Sequence, residues 1–172
     1  MLKATAVQAA LKKAPLTVYS GTVTRFQYEA FRYGVMPKGS YDNGGRYNEI
    51  GTRAIYASFS RTCALLEFTQ NYLDDEPMSA ATMLSLQVRL RRVLDLSSEA
   101  VLATLKTSRD ELCRPMLRRS GEPTQVLGTL AASIGIDGII APSRLSNAKN
   151  LVIFPDTRPL PPYRVIARIG RT

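Results

Sequence analysis

Histidine is absent from the 172-residue sequence, and cysteine occurs only twice. The lack of histidine removes the commonest general base, the Ser-His and Cys-His nucleophile pairs, and histidine-ligated zinc. Cys63 and Cys113 lie within apolar helical patterns and form no CxxC motif, so neither a metal site nor a disulfide framework is expected. We interpret both as buried free thiols in a reducing compartment.

Long apolar runs are missing as well. No stretch approaches the roughly 18 residues needed to span a bilayer, and residues 1–13 lack the apolar region and cleavage site of a secretory signal. We therefore expect a cytoplasmic protein without membrane contact. The share of hydrophobic residues, 45%, and of charged residues, 22%, is ordinary for a globular protein, so one domain over residues 1–172 is expected.

Acidic residues are few relative to basic ones: 14 Asp and Glu stand against 23 Lys and Arg, a formal net charge of +9. A positive surface attracts nucleic acid, nucleotides or an acidic protein without choosing among them. The basic segments 91–92 and 114–119 are not interleaved with aromatic residues, so we do not expect direct contact with nucleic acid. A non-enzymatic nucleic-acid binder remains an alternative.

The hydrophobic pattern predicts helices and strands without a regular βαβ alternation, which favours an α+β fold. The glycine- and tyrosine-rich segment 32–51 predicts a structured loop with several residues at positive φ. The acidic residues 74–76 and Pro77 are expected to end the helix that precedes them. Helices are predicted over 3–13, from Ser58 or Ser60 to about 72, 97–105, 108–113 and 123–134, and strands over 17–19, 53–58, 83–90, 93–96, 139–141, 151–154 and 165–169.

Two charged residues are candidates for chemistry. Glu67 falls on the apolar side of its predicted helix, so we expect its carboxylate to be partly desolvated. Such a carboxylate normally has a hydrogen-bonding or ionic partner, or a functional role. The alternative is a rim residue paired with an arginine. Arg46 stands in GGRYN, where the glycines allow the backbone to approach a ligand and the guanidinium can bind phosphate or carboxylate. The alternative is a solvated arginine in a turn.

Two further residues could contact a ligand. Tyr56 shares a strand face with Ala54 and Ser58 and could offer its ring to a base or a nicotinamide, although a core tyrosine with a satisfied hydroxyl is the alternative. Ser143 lies in the turn APSR and has no histidine to activate it. We therefore expect Ser143 to bind or orient a ligand rather than to act as a nucleophile, with a plain turn serine as the alternative. No GxGxxG or GxxxxGK[ST] motif supports a Rossmann or P-loop site.

The order and spacing of these segments resemble the RES domain, a family of bacterial toxins named for an arginine, a glutamate and a serine. GGRYNEIG, RAIYAS and TCALLEF resemble the family's GGRWN..G..alYls.s...al.E block. PTQVLGTLAASIGIDGIIAPS followed by NLVIF resembles its C-terminal pattern. The two blocks and the region between them cover about residues 44–154.

This resemblance implies an ADP-ribosyltransferase-like fold, in which a mixed sheet is split around an NAD-binding cleft with helices at the periphery. One departure is Ser20, which follows Tyr19 where the family has an arginine; Arg25 or Arg32 is the candidate replacement. Tyr47 stands where the family usually has tryptophan. The resemblance assigns catalysis to Glu67 and Arg46 and substrate binding to Arg46, Tyr56, Ser143, Tyr47 and Asn150.

The resemblance also implies a function: a toxin of a toxin–antitoxin system that cleaves the nicotinamide–ribose bond of NAD⁺, with water or phosphate as acceptor. A mono-ADP-ribosyltransferase that modifies a protein is the alternative. NAD⁺ is then a substrate, and neither a cofactor nor a metal is expected. The expected partner is a cognate Xre-type antitoxin, with a homodimer inside that complex. This chemistry needs no histidine, because nicotinamide leaves as a neutral molecule and the oxocarbenium-like transition state needs a carboxylate.

Overall fold

A computed structural model of the chain describes residues 4–28, 35, 38–70, 81–117, 120–157, 159 and 161–170. Within these ranges the helices are α1 (Ala4–Lys13), α2 (Lys38–Asn43), α3 (Arg61–Gln70), α4 (Glu99–Leu105), α5 (Arg109–Leu112) and α6 (Pro123–Ser133). The strands are β1 (Thr17–Tyr28), β2 (Ile55–Ser58), β3 (Ala81–Asp95), β4 (Gly138–Pro142), β5 (Lys149–Ile153) and β6 (Tyr163–Gly170). The predicted α+β fold is confirmed.

The strands form one mixed sheet that closes on itself. Their order is β1-β2-β5-β4-β3-β6, and β1 also pairs with β3, so β6 lies outside the ring made by the other strands. Among the described strands, β3 and β4 are parallel and the remaining pairs are antiparallel. Within those residues β1 meets β2 at one register pair, Thr24 with Ser58. The sheet is therefore split along most of this boundary.

Two hydrophobic clusters lie on the two faces of β2. Successive side chains of a strand point to opposite faces, so Ile55 and Ala57 enter one cluster while Ala54 and Tyr56 pack in the other. The cluster around Ala54 is covered by apolar side chains of α1, α4 and α6. β4 is buried along its whole length, as expected of a central strand. This burial gives the residues that follow β4 a rigid base.

β3 continues through Arg91 and Arg92, where the sequence predicted an interruption. Its register against β1 shifts at this point, so the two consecutive arginines both face solvent in a β-bulge. Their backbone N–H groups donate to Oδ2 of Asp137, at 2.7 and 2.9 Å. Asp137 is 2% exposed, and Thr157 donates to its other oxygen at 3.2 Å. The buried carboxylate thus supplies the acceptor that the ladder lacks at the bulge.

Replacing Asp137 with asparagine should lower the free energy of unfolding by about 1–2 kcal/mol, because hydrogen bonds to a charged group contribute more than those to a neutral one. Denaturation with urea measures this difference. Asp156→Asn is the matched control, since that exposed aspartate pairs only at the surface with Arg53, at 3.2 Å. Equal stability of the two variants would contradict the role given to Asp137.

Some predicted boundaries differ from the structure. α2 lies inside the segment predicted as a loop, although Gly44 and Gly51 have the expected positive φ, +72° and +88°. β1 is 12 residues long rather than three, because its pairing with β3 draws in a polar segment that has no clear strand pattern. The predicted helix break at 74–77 lies outside the described residues. Among the described helices, none combines the length and the apolar character that a membrane crossing requires.

Candidate active site

Three of the predicted site residues meet at one carboxylate. Oε1 of Glu67, on α3, accepts a hydrogen bond from Oγ of Ser143 at 2.9 Å and from Nδ2 of Asn150 at 2.7 Å. These partners are 76 and 83 residues away in the sequence. Ser143 follows β4 directly and Asn150 belongs to β5, so the adjacent strands bring both donors to the same oxygen.

The apolar pattern of α3 explains why Glu67 faces these partners. Oγ of Ser60 accepts a hydrogen bond from the backbone N–H of Cys63 at 3.0 Å, so Ser60 rather than Ser58 caps the helix. Cys63, Ala64 and Phe68 form the buried side of α3, and Glu67 lies on that side at its edge. Glu67 is half-buried, as its place at the edge of the apolar side predicts.

Ser143 is held by its own turn. It is 3% exposed, its backbone N–H donates to the carbonyl of Ala148 at 3.0 Å, and its Oγ accepts from the N–H of Leu145 at 3.0 Å. The hydroxyl proton is therefore directed to Glu67. Ser143 thus has a partner beyond its own turn, which a plain turn serine lacks, while a binding or orienting role toward a substrate stays a prediction.

The GGRYN segment is closed by Asn48, a residue that sequence analysis did not select. Asn48 is fully buried, and its Nδ2 donates to the carbonyls of Ser40 at 2.7 Å and Thr52 at 2.8 Å. Its Oδ1 accepts from the hydroxyl of Tyr56 at 2.7 Å. The signal that could have identified it is its place at the end of GGRYN, since asparagine often bonds the backbone of its own turn.

Tyr56 uses its hydroxyl to hold this segment. The hydroxyl accepts from the N–H of Tyr47 at 2.9 Å in addition to donating to Asn48, and burial raises its pKa above the ordinary value. A Cβ at Gly45 would lie 2.5 Å from this hydroxyl, so the close approach that the glycine permits is to Tyr56. The sequence pattern instead predicted that the backbone at this glycine approaches a ligand. Contact between the Tyr56 ring and a ligand stays a prediction.

Removing the hydroxyl with Tyr56→Phe should destabilise the protein by about 1–3 kcal/mol, because the backbone N–H of Tyr47 and the side-chain Oδ1 of Asn48 lose a buried partner. Denaturation with urea measures the change. Tyr41→Phe is the control, because Tyr41 is 41% exposed. Unchanged stability of Tyr56→Phe would mean that the segment is held by other contacts.

Arg46 joins GGRYN to the end of α5. Its Nη1 donates to the carbonyls of Leu112 at 3.2 Å and Arg114 at 2.9 Å. Burial lowers the pKa of Arg46 from its ordinary value, and the charge of Arg144 acts in the same direction while that of Glu67 opposes it. The charge of Glu67 thus acts on Arg46, its predicted catalytic partner. The hydrogen bonds to the end of α5 show that Arg46 is not a solvated arginine in a turn.

The structure places Tyr47 in the core and places one of the two candidate replacements for the family arginine, Arg25, on β1. Tyr47 is 3% exposed in the core cluster of Ala54, and its hydroxyl has no hydrogen-bond partner among the described residues. Substrate contact by Tyr47 stays a prediction. Arg25, on β1, donates from Nη1 to the backbone carbonyl of Tyr56 at 2.8 Å, and its role as the replacement stays a prediction. Arg32 lies outside the described residues.

A cavity of about 360 Å³ opens beside Ser143. Arg109 and Arg144 line it together with Asp110 and Cys113, so two guanidinium groups stand against one carboxylate and the lining still suits an anionic ligand. Cys63 is buried as expected, whereas Cys113 is half-buried because it reaches this cavity. No group of three or more cysteine, aspartate or glutamate side chains that could hold a metal ion occurs in the described part of the chain.

The chain is similar to a known protein family and to a solved structure. The family model of the RES domain matches residues 17–170. A comparison with curated proteins found no match. Among solved structures, a chain of the crystal structure of the M. tuberculosis MbcT-MbcA toxin-antitoxin complex aligns with a TM-score of 0.78 at 18% identity, covering 97% of this chain and 92% of that chain. The expected fold, a split mixed sheet with helices at its periphery, is confirmed.

Proposed function

The chain belongs to the RES domain family, and from this we propose that it is the toxin of a toxin–antitoxin system and cleaves the nicotinamide–ribose bond of NAD⁺. The observation that carries the proposal is the carboxylate of Glu67 held by Ser143 and Asn150. These residues belong to the two sequence blocks that resemble the family, and the fold brings them together.

The reaction suits a site built around a carboxylate. The C–N bond to ribose breaks with its electron pair on nicotinamide, which leaves neutral, and positive charge develops on the ribose. Glu67 stabilises this charge, and a preorganised group of this kind is worth about 3–4 kcal/mol. The oxygen of water or phosphate then bonds to the ribose carbon, and the proton of the acceptor passes to solvent. No histidine is required at any of these steps.

The other predicted residues position the substrate. Arg46 anchors the pyrophosphate, helped by the basic lining of the cavity beside Ser143. Tyr56 holds the backbone that carries Arg46, and its ring packs against nicotinamide. Holding the reactive bond against Glu67 in this way lowers the activation free energy, because the entropy of bringing the groups together is already lost on binding.

We propose that the protein partner is an antitoxin of the Xre type. One structural neighbour is a chain of a toxin-antitoxin complex, which supports a protein partner for a chain of the same fold. The net charge of +9 would attract an acidic antitoxin surface, mainly by speeding association. The same charge attracts an anionic dinucleotide.

The test is incubation of the purified protein with NAD⁺ and measurement of the nicotinamide released. We expect release, and a higher rate after inorganic phosphate is added to phosphate-free buffer would identify phosphate as the acceptor. Labelled NAD⁺ in a cell lysate distinguishes the alternative, because a mono-ADP-ribosyltransferase would label a discrete protein band. Intact NAD⁺ under all three conditions would contradict the proposal.

A further inference from the structure

We propose that Ser58 is a positioning residue that orients the amide of Asn150 and, through it, the carboxylate of Glu67. This inference rests on the proposed function, because it concerns how the reactive carboxylate is held. Ser58 is the last residue of β2 and is 2% exposed. Neither a binding nor a catalytic role follows from its sequence pattern, which predicted at most a helix cap.

Ser58 lies where the sheet closes. It is the register partner of Thr24 on β1 and of Asn150 on β5. β2 therefore joins the two sides of the ring at the residue that contacts the Asn150 side chain. Because both neighbours are backbone-paired to Ser58, the distance between its side chain and that of Asn150 is set by the sheet.

The chemistry of the amide makes this contact directional. An asparagine side chain accepts at Oδ1 and donates at Nδ2, and the two ends have similar shapes. Oγ of Ser58 donates to Oδ1 at 2.5 Å, which leaves Nδ2 to donate to Glu67 at 2.7 Å. In the flipped orientation Oδ1 would face the carboxylate oxygen, and two acceptors would repel each other. The acceptor-only carboxylate thus selects this orientation, and the Ser58 hydroxyl, by donating to Oδ1, holds the amide in it.

A second donor supports the same orientation with less strength. Sγ of Cys63 lies 3.4 Å from Oδ1 of Asn150, and a thiol is a weak donor. The Ser58 hydroxyl is available for this contact because Ser60 provides the helix cap. We therefore assign the larger part of the orienting effect to Ser58.

The test compares Ser58→Ala with Ser60→Ala in nicotinamide release. We expect Ser58→Ala to lower kcat about tenfold with KM changed less than about twofold, because the carboxylate is misplaced while the anchoring groups remain. Ser60→Ala loses a helix cap, which costs about 1 kcal/mol of stability, but should keep the wild-type kcat. Ser58→Thr retains the hydroxyl and should restore most of the rate.

An independent readout is the NMR signal of the Asn150 side-chain amide, assigned by its loss in Asn150→Asp. Ser58→Ala should shift this signal and speed its exchange with solvent, whereas Ser60→Ala should leave it unchanged. If Ser58→Ala does not fold, Ser58→Cys under reducing conditions replaces it, with an intermediate effect expected of a weak donor.

Wild-type kcat together with an unshifted Asn150 signal in the alanine or cysteine variant would overturn the assignment of Ser58. A wild-type protein that releases no nicotinamide would instead contradict the proposed function, and the NMR comparison would still decide whether Ser58 orients Asn150. The two failures are therefore distinguishable.

Discussion

Glu67→Gln is expected to slow nicotinamide release from NAD⁺ by about 10²–10³-fold, the loss measured when one preorganised charge-stabilising group is removed from an active site. Glutamine has the same shape, and its Oε1 can still accept from Ser143 and Asn150. What disappears is the negative charge that faces the developing positive charge of the ribose. The effect should therefore fall on kcat while the protein stays folded.

Glu111→Gln is the matched control for this substitution. Oε2 of Glu111 also accepts from a hydroxyl and an N–H, those of Thr107 at 3.0 Å and Ser108 at 3.2 Å, but it serves the cap of α5. Glutamine can fill the same capping position, so the rate should stay near that of the wild type. Rates for Glu67→Gln within about threefold of an active wild type would exclude charge stabilisation by this carboxylate.

Gly128→Ala should lower the free energy of unfolding by about 3 kcal/mol, the upper part of the usual range for an overpacked core. Alanine inside a helix normally stabilises by about 1 kcal/mol over glycine. Here a Cβ would lie 1.9 Å from the carbonyl oxygen of Tyr47 and 2.6 Å from its carbonyl carbon. The clash is with backbone, which has no rotamer to change, so the steric cost exceeds the gain in helix propensity.

The same substitution should also reduce nicotinamide release, because α6 supports the segment that carries Arg46. Thr129 accepts a hydrogen bond from the N–H of Glu49 at 2.9 Å, next to the contact between Gly128 and Tyr47. Gly39→Ala is the control, since a Cβ there meets nothing within 4 Å. Chemical denaturation of the two variants measures the difference. Equal or greater stability of Gly128→Ala would contradict the packing of α6 on GGRYN.

The helix that carries Glu67 and the helix α6 were predictable because their signals are local. Ser60 caps α3, and Pro123 and Gly135 stand at the start and just beyond the end of α6, as the pattern indicated. β3 was predicted with a break at Arg91 and Arg92, since a charged doublet contradicts strand alternation. The bulge is stable because Asp137, more than 40 residues later, accepts from both N–H groups.

The amino-acid sequence by itself determined the residue types available for chemistry: no histidine, a carboxylate on the inner side of α3, and a serine after a buried strand. Only the tertiary structure decided which groups meet that carboxylate and in which orientation. Ser143 and Asn150 lie 76 and 83 residues from Glu67 along the chain, and Asn150 lies 92 residues from Ser58. Their hydrogen bonds form because the sheet closes between β1, β2, β5 and β4. Local preference reaches only a few residues, whereas strand register sets the positions of donors and acceptors over the whole domain.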